Sequence, residues 1–182
     1  ETRRFLQEEK GKLEDAKTLF RQGVDLAKSR LYDEGLTLLK DAIELRPNYV
    51  DALYISGVIN GVRGNYPEAM QHFERVLELR PSHVEAMYGK ANILLKKGSH
   101  EKALDLLDNV LALDWDHVDA WCDRGVALVK LGKQADAMEC YDHALKIAGD
   151  HPQAIAQRER CVKAMNEAMR TEGSGIAEQK QS

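Results

Sequence analysis

Between residues 114 and 123 the stretch DWDHVDAWCD gathers Asp114, Asp116, His117, Asp119, Cys122 and Asp123. Carboxylate, imidazole and thiol are the side chains that bind transition metals, and a Cys near a His is the beginning of a nucleophilic site. Neither chemistry is well served here. Half of the cluster falls in a loop with no glycine-containing ligand frame of the kind a calcium site uses. Asp119 and Asp123 flank Cys122, and negative neighbours raise a thiol pKa and oppose its activation. A solvated acidic helix start, favoured by the helix dipole, accounts for the same carboxylates. His117 also belongs to a column with His83 and His151, spaced by 34 residues. Members of such a column on stacked helices lie about 10 Å apart, whereas zinc needs its nitrogens at about 2 Å. No phosphate loop or dinucleotide fingerprint is present. The expectation is no metal, no cofactor and no catalytic residue.

The interval of 34 residues leads from these side chains to the elements that carry them. RPNYVDALYISG at 46–57, RPSHVEAMYGKA at 80–91 and DWDHVDAWCDRG at 114–125 are versions of one phrase. Four units fit, 16–49, 50–83, 84–117 and 118–151, and a fixed period of this size signals a stacked repeat architecture. Each unit holds two segments of helical periodicity, such as VDALYISGVINGVR and YPEAMQHFERVLEL, around a turn. Gly64, Gly98 and Gly132 mark that turn in the last three units, where glycine ends a helix without a Cβ penalty. Pro47 and Pro81 follow two of the second helices and cannot continue their hydrogen-bond ladders. Small residues at repeat positions 8 and 20 let the two helices approach, and large ones at 4, 11 and 24 fill the space beside them. One hairpin cannot bury its apolar stripe alone, so the next must stack on it.

This pattern resembles the tetratricopeptide repeat (TPR) family: large at 4, small at 8, large at 11, small at 20, aromatic at 24, small at 27 and Pro at 32. The second unit supplies Leu53, Gly57, Asn60, Ala69, Phe73, Val76 and Pro81, and the fourth Trp121, Gly125, Leu128, Ala137, Tyr141, Ala144 and Gly149. The resemblance implies an all-α fold, a right-handed TPR superhelix (α-solenoid) of four helix-turn-helix repeats plus a C-terminal capping helix. Two departures carry expectations. Asn60 replaces a large residue in a helix crowded by Gly57, Gly61 and Gly64; interior glycine costs about 1 kcal/mol relative to Ala, so this helix is expected to be locally weak. Trp115 stands where the loop Pro belongs, either as a half-buried loop aromatic or as a partner contact.

Residues 1–15 are charged and helical in character, with Leu6, Leu13 and Phe20 seven apart. They read as an N-terminal helical extension that runs into the first repeat or caps it. Residues 152–170 begin with Pro152, which suits a first helical turn, and read as the capping helix. Residues 171–182, polar and Gly/Ser-containing, read as a disordered tail.

Composition narrows the partners. Apolar residues at 43% suffice for a core. A net charge of −4 and a pI near 5.9 argue against the basic stripe of a nucleic-acid binder. No apolar run reaches the ~18 residues of a membrane span. Three cysteines without a CxxC read as reduced thiols and a cytoplasmic setting. The chain starts at Glu1 rather than Met and reads as a fragment, with room for a lost upstream targeting segment.

The resemblance implies that positions 2, 5, 9, 12 and 13 of each first helix face the concave groove. Positions 2, 5 and 9 hold Lys17, Phe20, Val24, Asp51, Tyr54, Val58, Glu85, Tyr88, Asn92, Asp119, Cys122 and Val126, and all of these but Lys17 are the candidate peptide-binding residues. They read as an acidic edge of Asp51, Glu85 and Asp119 beside an apolar floor, with a basic edge of Lys28, Lys96 and Lys130 opposite. Such a groove suits an amphipathic helix or an extended peptide. The carboxylate clamp of some TPR domains is not matched, since its positions hold Phe20, Val24, Ile55, Glu85 and Gly89 in one frame and Tyr54, Val58, Gly89, Asp119 and Asp123 in the next. The expected function is a non-catalytic protein-interaction scaffold or adaptor for a protein or peptide ligand. The alternatives are a self-assembling, homo-oligomeric scaffold and a regulatory TPR region of a larger enzyme.

Overall fold

The computed structural model describes residues 2–179, and these form nine α-helices and no strand. They are α1 (Thr2–Lys28), α2 (Tyr32–Leu45), α3 (Val50–Arg63), α4 (Tyr66–Leu79), α5 (Val84–Lys96), α6 (His100–Leu113), α7 (Val118–Lys130), α8 (Gln134–Ile147) and α9 (Pro152–Gln179). Helices α3 and α4 fall within residues 50–83, and α7 and α8 within residues 118–151. The extension and the first repeat helix are one continuous α1. Helix α9 runs past 170 into the stretch expected to be a tail, as far as Gln179; residues 180–182 lie outside the described residues. Two compact units make up the chain, Glu1–Ile93 and Leu94–Ser182.

The turns follow the sequence reading. Gly64, Gly98 and Gly132 have φ of 83°, 75° and 76°. The first repeat has no glycine at that place, and Arg30 takes the left-handed conformation itself, at φ 61°.

Helix starts explain the histidine column. Nδ1 of His83, His117 and His151 accepts the backbone N–H of Ala86, Ala120 and Ala154 at 3.3, 3.2 and 3.3 Å. Each ring satisfies one of the orphan donors of a helix N-terminus. The alanines they cap are fully buried, as is Ala52 in the same repeat position.

In the first unit the ring of Phe73 fills the space between Gly57 and Gly89; a Cβ added at either would stand 2.8 or 2.6 Å from it. In the second, Tyr141 lies against Gly125 in the same way, at 2.5 Å. Helix α3, expected to be weak, is unbroken from Val50 to Arg63. Gly64 sits beyond its end, and Asn60 is buried but partnered: its Nδ2 donates to Ser56 O at 2.9 Å and its Oδ1 accepts from Asn65 Nδ2 at 3.3 Å. The polar side chain thus ties α3 to the turn that follows it.

Candidate functional site

In the first unit, α1, α3 and α5 carry eight of the candidate residues. Phe20, Val24, Tyr54, Val58, Tyr88 and Asn92 are half-buried, while Asp51 and Glu85 are exposed. Phe20 leans on Tyr49 with ring centres 5.0 Å apart. Tyr54 packs 6.1 Å from Phe73 and 5.1 Å from His83. Burial raises the pKa of its phenol, and the Glu85 carboxylate raises it further, so Tyr54 and Glu85, on successive first helices, sense each other. Asp51 has a local cation, Arg80 at 3.9 Å, while Glu85 Oε2 lies 3.2 Å from His83 Nδ1, the nitrogen that accepts the Ala86 N–H. Lys28 is 3.7 Å from Asp25.

The second unit departs from expectation at Cys122. This side chain is 0% exposed and presents no surface to a ligand, because the start of α9 closes over it. His151 Nε2 lies 3.1 Å from Asp119 Oδ1, and its Nδ1 lies 3.5 Å from Cys122 Sγ. Since Nδ1 also takes the Ala154 N–H, Nε2 carries the ring proton and donates it to Asp119. Cys, His and Asp are therefore connected in the order of a nucleophilic triad. The chemistry runs the other way. Burial first, then Asp123 and Asp119, pushes the Cys122 thiol up to about 12. It is a sealed S–H donor, and the trio fastens α9 to α7. Gln153 Nε2 adds a 3.3 Å bond to Asp123.

Val126 is half-buried in a cavity of about 370 Å³ between α7, α8 and α9, which Val129, Lys130, Tyr141, Arg160 and Cys161 also line. Lys130 belongs to the expected basic edge; nothing in the repeat pattern marked Tyr141 or Arg160 for this place.

Trp115 is 57% exposed. Its ring meets Trp121 edge-on at 4.7 Å and His143 at 5.6 Å, and its carbonyl accepts the Trp121 indole N–H at 2.9 Å. Arg124 lies 5.9 Å over Trp121 and donates to Asp108 and Cys140. These residues border a second cavity of about 350 Å³. In the first unit a third, of about 380 Å³, is lined by Ser56, Asn60 and His72. Burial lowers the His72 pKa against the opposing pull of Glu68, which favours the neutral ring; Lys40 and Glu44 also line this cavity. Sequence reading missed it because Ser56 and His72 lie outside the family's diagnostic positions.

Among the described residues no group of three or more His, Cys, Asp or Glu side chains has the geometry to hold a metal. No described helix is long and apolar enough to cross a membrane.

Three tetratricopeptide repeat models match the chain, at residues 20–82, 63–114 and 91–161. No curated protein sequence matches it significantly. Among solved structures it is similar to MamA from Desulfovibrio magneticus RS-1, with TM-score 0.73 and 23% identity over 88% of this chain and 96% of that one. It is also similar to PilF of Pseudomonas aeruginosa, with TM-score 0.76 and 16% identity over 86% and 72%. The first TPR of Spaghetti (RPAP3), bound to the HSP90 peptide SRMEEVD, is similar at TM-score 0.62 and 19% identity over 64% and 93%. At these identities the likeness is one of fold.

Proposed function

The chain belongs to the tetratricopeptide repeat family, and from that premise we propose that it is a non-catalytic interaction module whose first-unit helices α1, α3 and α5 bind an amphipathic peptide or helix of a protein partner. The observation that supports this most is the set of half-buried Phe20, Val24, Tyr54, Val58 and Tyr88 at equivalent repeat positions, with Asp51 and Glu85 exposed beside them. Half-buried aromatics anchor ligands well because they bring large area at small entropic cost. Flanking carboxylates orient the ligand and speed its encounter. A relative of the same fold holds a peptide. The ligand mode differs from a carboxylate clamp, because Phe20, Val24, Ile55, Glu85 and Gly89 supply neither the lysines nor the asparagines that a clamp needs. Three free, buried cysteines suit a reducing, cytoplasmic setting.

The test is selection of binding peptides from a displayed random library on the wild-type chain, followed by affinity measurement with Tyr88→Ala/Asn92→Ala. Tyr54 is left intact because its ring packs on Phe73. The double variant should weaken binding by about tenfold or more with an unchanged helical circular-dichroism spectrum. Equal affinity for both proteins removes the proposal. A concentration series by light scattering examines the alternative of self-assembly, which a persistent monomer retires.

A further inference from the structure

Tyr141 and Phe73 occupy the same repeat position, and both rings lie against a glycine of the preceding helix, Gly125 and Gly57. A phenyl ring therefore meets the packing need in one hairpin, and the hydroxyl of Tyr141 adds something that packing does not require. Its oxygen is buried with no hydrogen-bond partner among the described residues, and the whole residue is 0% exposed. An unmet buried donor is a standing cost that a phenylalanine would avoid. Its surroundings say what would meet it. Tyr141 lines the cavity between α7, α8 and α9, whose walls are Val126, Val129 and Cys161 and whose charged lining residues are Lys130 and Arg160, with no carboxylate among them. The Cys161 thiol is committed to the Gln134 carbonyl at 3.4 Å. Lys130 and Arg160 are exposed, and neither forms an ion pair with a described residue.

We propose that this cavity receives an internal glutamate or aspartate side chain of a bound peptide, whose carboxylate accepts the Tyr141 hydroxyl and meets Lys130 and Arg160. Charge complementarity selects a carboxylate over an amide or an alkyl group, and the valine walls take the aliphatic stem that carries it. A charge-assisted bond from the hydroxyl is the stronger kind. The hydroxyl is closed to water in the free chain, so the carboxylate reaches it as side chains lining the cavity change rotamer. The inference rests on the peptide-binding reading for the source of the carboxylate, and is independent of the face formed by α1, α3 and α5.

The probe is an array of nonapeptides with amidated C-termini, each carrying one central glutamate and paired with a twin carrying glutamine. The full chain should bind glutamate members about tenfold better than their twins. Lys130→Ala/Arg160→Ala should bring that ratio close to one. Tyr141→Phe should keep or raise the melting temperature while weakening glutamate binding by about tenfold; its fold is safeguarded by the precedent of Phe73. The proposal is overturned if Tyr141→Phe binds the glutamate members as the wild type does, if the wild type does not distinguish the twins, or if no member binds. Tyr88→Ala/Asn92→Ala, run in parallel, separates the two readings. Loss in that variant with Tyr141→Phe unaffected keeps the α1–α3–α5 face and rejects the cavity; the reverse keeps the cavity alone.

Discussion

Arg124 Nε stands 2.7 Å from Asp108 Oδ1, and the relationship recurs at the repeat interval: Arg158 with Asp142 at 2.6 Å and Lys90 with Glu74 at 3.1 Å. Each cation stands at position 7 of a first helix and each carboxylate at position 25 of the second helix before it. The column stitches one hairpin to the next. It breaks at the first junction, where the two positions hold Ser56 and Lys40 and the cavity beside His72 lies instead.

These pairs are partly solvated, with Arg124 28% and Asp108 56% exposed, so each is a modest contributor. A double-mutant cycle of Arg124→Ala and Asp108→Ala, followed by urea unfolding, should give a coupling of about 0.5–1 kcal/mol that shrinks with added salt. Arg124→Ala should cost more than Asp108→Ala, because it also removes the bond to Cys140 and the contact over Trp121.

Arg30 holds a left-handed conformation that glycine holds in the other three repeats. Arg30→Gly should therefore stabilise the chain by about 0.5–1 kcal/mol, the relief of backbone strain exceeding the entropy that glycine adds to the unfolded state. The check is thermal unfolding, with a rise of a few degrees expected and a fall counting against this account of the turn.

Cys122 should behave as a locked donor. Its folded pKa of about 12 lies above the ordinary value near 9. A raised pKa means stability that is complete below about 9 and is lost as pH climbs from there towards 12. Unfolding midpoints should accordingly fall across that alkaline range, and fall less in Cys122→Ala, which has no thiol to titrate. Iodoacetamide at pH 8 should leave Cys122 unmodified in the folded chain and label it after unfolding. His151→Ala, which removes both the cap of α9 and the partner of the thiol, should destabilise by about 1–2 kcal/mol.

Much of the fold was legible because repeat architecture writes itself four times. The turn glycines, the small residues beside Phe73 and Tyr141, and the helix pairs all follow from a pattern that one unit alone would state weakly. What a repeat cannot announce is what happens where it stops. Cys122 reads as a surface position by analogy with Phe20, Tyr54 and Tyr88, yet His151, the residue just before α9, lies against it and leaves it 0% exposed. The capping role of the histidine column depends on a backbone N–H that no side-chain pattern displays. Asn60 looked like a defect, because its bond to Asn65 joins residues whose types carry no periodic signal. The Arg124–Asp108 column was visible in principle as opposite charges 16 residues apart at a constant repeat position.

The central claim is that a peptide partner lies on the first helices of the first unit. Backbone amide chemical shifts of the isotopically labelled chain, titrated with a peptide selected on the wild type, test it most directly. The expected result is a set of perturbations concentrated at Phe20, Val24, Asp51, Tyr54, Val58, Glu85, Tyr88 and Asn92, with small changes around Trp115 and His143. Perturbations centred on Trp115, Trp121 and His143, with those eight residues unmoved, would contradict it.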